Sequence, residues 1–197
     1  MKRAALNPSV IAENAAALAD EAGLEAVTMS AVARRLGVQA PSLYSHVRDH
    51  AALLDGITVI ALAGLAERIA EATAGRAGRD ALAGFAGAHR AYSQLSPGRW
   101  QALQRRAGAA AVGSAAARHL VSLTDSVLTA YNLPAAQRVH AIRFIGSTIT
   151  GFLALERVGN FDHSDPGAGE SWLRVVDGLD SLLALWSTNP HKEGTPS

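Results

Sequence analysis

His46 and His50 stand four residues apart, the spacing at which two imidazoles on a helix hold a zinc ion. They straddle an expected helix boundary, and Asp49 is the only carboxylate close to them in sequence, so no metal is assigned to the pair. Asp162-His163-Ser164-Asp165 gathers acid, base and hydroxyl in one place. It lies in the Gly- and Pro-flanked stretch Gly159–Gly169, where such side chains are ordinarily just solvated. No Gly-rich phosphate loop, serine elbow or paired carboxylate arrangement stands out. The chain is therefore read as no enzyme, with no catalytic residue, cofactor or metal.

Two other constellations carry physical meaning. Phe85, His89 and Tyr92 recur at helical spacing, Trp100 follows in the next segment, and His119, Thr148 and Phe152 lie on later ones. Together they are candidates to line a mostly apolar ligand cavity with a few polar groups, although core packing accounts for most such stripes. The second constellation is the segment in which Ser42, Tyr44, Ser45 and His46 face outward while Leu43 and Val47 point in. Small hydroxyls reach base edges, and Tyr and His donate to phosphates, so this face suits a DNA major groove. A solvated face on a packing helix fits the same pattern.

These side chains need elements to hold them. Ile11, Ala15, Leu18 and Ala22 recur at helical spacing and Gly23 offers a stop, which predicts a first helix over about residues 9–22. Thr28 suits an N-cap and opens a short helix in which Met29, Val32 or Ala33, and Leu36 share one face; Gly37 ends it. Pro41 suits the first turn of a third, very short helix over about 41–47. Short helices joined by a tight turn bury little alone and must pack as a three-helix unit. From Ala51 a longer helix runs to the Gly75–Gly78 break, and further helices are expected over about 79–95, 98–109, 113–132, 135–158 and 170–187. The last two carry Ile142, Ile145, Ile149, Phe152, Trp172, Val175, Leu179, Leu182, Leu183 and Trp186. Such apolar surface fits either an intrachain core or a four-helix interface with a second copy.

Composition agrees with an all-α chain: 49% hydrophobic and 18% charged residues, rich in Ala and Leu. The absence of cysteine excludes disulfides and thiol chemistry and makes the cytoplasm the default location. The uncharged runs Gly56–Ala66 and Phe144–Leu155 are too short to span a membrane, and the N-terminal stretch carries no export signal. Net charge is only +1, and Lys2, Arg3, Arg34, Arg35 and Arg48 are balanced by Glu13, Asp20, Glu21, Glu25 and Asp49. Bulk charge thus does not announce a nucleic-acid partner.

Thr28–Leu54, TMSAVARRLGVQAPSLYSHVRDHAALL, resembles the DNA-binding unit of the TetR family, with the likeness extending over about residues 9–60. Gly151-Phe-Leu-Ala-Leu-Glu156 and Gly159-Asn-Phe161 are similar to the end of a regulatory domain common in that family. Ser147 and Thr150 stand where Trp and His often precede the glycine, so no pocket chemistry carries over. The resemblance implies an N-terminal three-helix DNA-binding unit with a helix-turn-helix (residues 1–50) and a helical ligand-binding and dimerisation domain (51–188); composition and terminal position make 189–197 an expected disordered tail. It implies a ligand-responsive regulator, most simply a homodimeric repressor released from a palindromic double-stranded operator by a small-molecule effector. An activator or constitutive binder on the same helices is the alternative, and an enzyme with a helical pocket the other rival.

The resemblance also implies roles for single residues. Ser30, Ala40, Pro41 and Ser42 would face bases, and Tyr44 and His46 would contact phosphate or groove. Thr28, Gln39, Ser45 and Arg48 complete the expected DNA-facing set. His50 replaces the usual phosphate-touching lysine; since histidine is mostly uncharged at neutral pH, that contact would be weaker or pH-dependent, with Arg48 placed to compensate.

Overall fold

A computed structural model describes residues 6–188 as helices and connecting turns, with no strand among the described residues. The helices are α1 (Pro8–Ala22), α2 (Met29–Leu36), α3 (Ala40–Tyr44), α4 (His50–Thr73), α5 (Gly78–Leu95), α6 (Pro97–Leu103), α7 (Ala109–Val112), α8 (Ala115–Leu128), α9 (Ala135–Arg157) and α10 (Ala168–Thr188). Single 3-10 turns occupy Leu24–Ala26 and Thr129–Tyr131. The tail expected at 189–197 lies outside the described residues. No described helix is long and apolar enough to cross a membrane.

Local chemistry sets most boundaries. Asn7 Oδ1 accepts from Val10 N at 2.9 Å and Pro8 occupies the first turn, so α1 starts there. Thr28 Oγ1 accepts from Ala31 N at 3.1 Å and opens α2, which ends at Gly37 in the left-handed region, φ 66°. The third helix is shorter than the expected 41–47. It stops at Tyr44 because Asp49 Oδ1 accepts from Ala52 N at 2.8 Å to start α4, and residues 45–49 must turn to deliver that cap. The expected helix over 98–109 ends early: α6 stops at Leu103, and α7 begins only at Ala109. Gly108 N–H donates to Asp55 Oδ1 on α4 at 3.1 Å, which draws the backbone off a helical path. The stretch 113–132 begins as α8 only at Ala115, after Ser114 Oγ accepts from Ala117 N at 3.1 Å, and it ends in a 3-10 turn closed by Asn132 at φ 49°.

The chain forms two compact units, one comprising residues up to Arg68 with Ala91–Val121 and the other Ile69–Arg90 with the residues from Ser122 onward. These packing units do not coincide with a division at residue 50. The first is built on Ile11, Ala15, Ala19, Val32, Leu43, Leu53, Ile57 and Ala102, all essentially inaccessible to solvent. Truncating one such Leu or Ile to Ala costs about 2–5 kcal/mol. The second unit is built on Leu82, Phe85, Leu128, Ile145, Ile149, Leu153, Trp172, Leu179 and Leu183. Polar ties brace it. Arg90 pairs with Glu156 and stacks over Trp172 at 5.4 Å, Arg79 pairs with Asp177, and Tyr131 donates to Asp180 at 2.6 Å.

Candidate DNA-binding face and effector cavity

The three-helix unit turns its apolar residues in and leaves a polar face bare. Leu43 is fully buried while its neighbour Tyr44 is 55% exposed; Pro41, Ser42, Ser45 and His46 are exposed as well, and Ala40 is half-buried. Gln39 precedes α3 without capping it, so its side-chain amide is not consumed by the helix start. Ser45 is less available than its exposure suggests, because its hydroxyl donates to Ser42 O at 2.8 Å. On α2, Ser30 is exposed and Thr28 Oγ1 is engaged as the cap.

Cations around this face differ in their freedom. Arg35 is held by Glu21 through two bonds of 2.6 and 2.7 Å, which tie α2 to α1. Glu21's carboxyl is held below its usual range, first by that hydrogen bond. Arg48 pairs with Asp49 at 2.7 Å, and Asp49's carboxyl is lowered first by the Ala52 N–H and then by Arg48. Arg34 is exposed, and among the described residues no carboxylate pairs with it. That makes it a cation of this face that the sequence motif did not mark out. His50 Nε2 lies 2.7 Å from Val27 O, so Nε2 carries a proton and donates to that carbonyl. In the neutral ring Nδ1 is then only an acceptor, and His50 offers a phosphate no second donor until it is protonated.

Helix α6 is seated directly on α1. A Cβ at Gly98 would lie 2.1 Å from the carbonyl carbon and oxygen of Ala19, so only glycine allows this approach. Arg99 N donates to Asp20 Oδ1 at 2.9 Å, Leu24 N donates to Gln101 Oε1 at 3.2 Å, and Ala102 enters the core of the three-helix unit. The next residue, Leu103, lines a cavity of about 410 Å³. Thr58 and Leu62 of α4, Ala107, Ala111 and Val112 around α7, and Ala117, Arg118 and Val121 of α8 complete its walls. Thr58 Oγ1 is shared between Leu54 O at 3.0 Å and Ala102 O at 3.4 Å.

None of the seven residues first considered for a ligand lines this cavity, and they are divided between the two units. Tyr92 and Trp100 are buried in the first, where His119 is exposed. In the second, Phe85 packs on His89 with ring centroids 4.4 Å apart, Phe152 stacks near Phe161 and Trp172, and Thr148 is half-buried. His89 Nδ1 lies 2.8 Å from Phe85 O, and burial lowers the imidazole pKa to about 4. Tyr92's hydroxyl is buried, has no hydrogen-bond partner among the described residues, and is pushed up to about 12 by that burial. His46 and His50 belong to no cluster of three potential ligands among the described residues.

The apolar residues of α9 and α10 divide between the core of their own unit and the surface. Ile145, Ile149, Trp172, Leu179 and Leu183 are buried within their own unit, because their spacing points them at neighbouring helices of the same chain. The exposed large apolar residues are Val139 and Leu155 on α9, Val158 just past its end, and Leu173, Leu182 and Leu185 on α10, 41–63% accessible.

Residues 11–57 match the model for bacterial regulatory proteins of the tetR family, and residues 82–179 match the tetracyclin repressor-like C-terminal domain. An HTH-type transcriptional regulator of Mycobacterium tuberculosis is 32% identical over 181 residues, which cover 90% of this chain and 83% of that protein. The class A tetracycline repressor from Escherichia coli is 41% identical over 58 residues, 29% of this chain and 27% of the repressor. The apo crystal structure of ActR from Streptomyces coelicolor superposes with a TM-score of 0.76, covering 94% of this chain and 98% of ActR at 16% identity. A buried three-helix core beneath a bare polar face, in a chain matched nearly end to end by such a regulator, places this protein in the TetR family of DNA-binding transcriptional regulators.

Proposed function

We propose that this chain acts as a homodimer that represses transcription from a palindromic operator and is released by a small molecule held in the α4–α8 cavity. The observation that carries the DNA half is the contrast on α3, where Leu43 is fully buried and Tyr44 beside it is 55% exposed with polar neighbours. An aromatic hydroxyl is left in water at little gain to the fold, on a helix short enough to enter a major groove. In this reading Ser30, Gln39, Ala40, Pro41 and Ser42 face base edges, while Thr28, Tyr44, His46, Arg48 and His50 meet phosphates. Exposed Leu155, Leu173, Leu182 and Leu185 on α9 and α10 support pairing with a second copy. A dimer would set its two α3 helices about one DNA turn, ~34–36 Å, apart.

The effector half rests on α6. It lies on α1 through Gly98 and touches the cavity through Leu103, so a ligand that displaces Leu103 acts on the DNA-binding helices. Coupling between two such sites is typically ~1–3 kcal/mol, and operator must weaken effector binding by the same factor as effector weakens operator.

Enrichment of random duplexes by the full-length protein supplies the operator for the test. Tyr44→Ala is expected to weaken binding to every enriched duplex with folding unchanged, whereas Ser42→Ala should change preference at one base step. Equal affinity of wild type and Tyr44→Ala would remove α3 from the interface.

A further inference from the structure

We infer that the ligand of the α4–α8 cavity is an apolar monocarboxylate, seated with its carboxylate on Arg118. This rests on the reading of that cavity as the effector site and assigns the chemistry the site accepts. Seven of the nine wall residues are Ala, Val or Leu. Of the two polar ones, Thr58 has its hydroxyl engaged with backbone carbonyls of α4 and α6. Arg118 is then the one charged group on the wall, and no carboxylate lines the cavity to neutralise it.

The arginine is also positioned. Arg118 Nη1 donates to Gly113 O at 2.6 Å, which anchors the guanidinium at the turn between α7 and α8. Among the described residues it has no ion-pair partner. Its remaining N–H donors form the planar fork that matches a carboxylate. Val112 and Val121 on the same wall are 63% and 56% exposed. An apolar ligand body would cover them.

Other ligand classes meet a penalty here. A cation meets like charge at Arg118. A sugar or nucleotide would bring many polar groups against a wall with almost no partners for them, and each group left unpaired on burial costs free energy. Size sets a further bound: at about 410 Å³ the cavity falls at the small end of the ~300–1,000 Å³ range of small-molecule sites. A straight-chain acid of about ten carbons fits that limit.

The test is isothermal titration of the full-length protein, without DNA, using decanoate, decan-1-ol and decylamine below their micelle concentrations. Decanoate is expected to bind at least ~10-fold more tightly than the alcohol, with the amine weakest. Arg118→Gln should bring decanoate down to the level of the alcohol, Arg118→Lys should retain part of the difference, and Ala117→Phe, which fills the cavity, should abolish binding of both. Equal binding of acid and alcohol, or an unchanged preference in Arg118→Gln, overturns the assignment. Binding of decanoate that survives in Ala117→Phe overturns the site, and failure of all three probes overturns the ligand class. Operator release is read separately. An acid that binds as expected yet leaves DNA affinity unchanged sinks the effector reading alone, whereas a neutral or cationic compound that binds here and releases DNA sinks the carboxylate alone.

Discussion

Replacing Gly98 by alanine tests the contact on which the proposed coupling depends. The new Cβ would sit 2.1 Å from the carbonyl carbon and oxygen of Ala19 and 2.5 Å from Asp20 N, all backbone atoms in the last turn of α1. Ordinary contact begins near 3.4 Å, so α6 must withdraw from α1 by roughly 1 Å. Overpacking of this kind costs about 1–3 kcal/mol. Withdrawal also stretches the Arg99–Asp20 and Leu24–Gln101 hydrogen bonds, each worth about 1 kcal/mol. The expected loss is ~3–5 kcal/mol, a large part of a total stability of about 5–15 kcal/mol. Urea unfolding followed by far-UV circular dichroism measures it, with the slope unchanged if only stability moves. Gly87→Ala in α5 is the control: a Cβ there meets nothing within 4 Å, so this substitution should stabilise the protein by ~0.5–1 kcal/mol. If Gly98→Ala unfolds within ~1 kcal/mol of the wild type, α6 is not pressed on α1, and transmission through it has no basis.

His50→Lys should raise operator affinity and steepen the salt dependence by about one released ion, because a fixed charge replaces a ring whose Nε2 is committed to Val27 O; filter binding across a salt series that shows neither change places residue 50 away from phosphate. Leu182→Glu with Leu185→Glu should yield a monomer in sedimentation and lose operator binding at the same time, and a persistent dimer would move the interface elsewhere. His89 should make the fold acid-sensitive. Its folded pKa of about 4 lies below the unfolded value near 6.5, so the unfolded chain takes the proton first; stability is unaffected above ~6.5 and falls as pH drops toward ~4, by up to ~3 kcal/mol. His89→Phe should remove most of the difference between urea midpoints at pH 7 and pH 4.5, and equal acid sensitivity in both proteins would refute the buried neutral ring.

Short-range signals were readable from the sequence alone. Thr28 caps α2 through a residue three positions on, and Gly37 ends it through its own backbone angle, so a local window contains the whole cause. The same holds for Leu43 and Tyr44, whose opposite faces follow from adjacent positions on one turn. Where the cause lies far along the chain the reading fails. Gly108 marks a break in the sequence, but the early end of α6 at Leu103 is not marked, and the bond from Gly108 to Asp55, 53 residues away, lies outside any local window. His50 is marked in the sequence only by its place at the start of α4, and its bond to the carbonyl of Val27, 23 residues away, could not be read there. The cavity was invisible for a related reason: its wall is mostly alanine, valine and leucine, residues that mark a core and a pocket equally well. On α9 and α10 the apolar content was evident, but which residues turn inward depends on the partner helices, and so Leu155 and Leu185 went unnoticed beside Ile145 and Leu179.

The magnitudes explain why a modest ligand can suffice. Ala102 belongs to the core beneath α2 and α3, Leu103 lines the cavity, and the carbonyl of Ala102 meets the Thr58 hydroxyl that faces the same cavity wall. Ala102 is fully buried in that core, so in the proposed coupling a shift of Leu103 that moves the backbone of α6 meets close packing on the side of α1. It reaches α1 at Gly98, where backbone stands on backbone, and α1 in turn carries Glu21, which grips Arg35 of α2. The polar links along this route are single hydrogen bonds of about 1 kcal/mol each. Weakening two of them is already of the size that site-to-site coupling requires, ~1–3 kcal/mol, without unfolding any helix. If this route carries the proposed coupling, it is reciprocal in energy: operator must weaken ligand binding by the factor by which the ligand weakens operator binding.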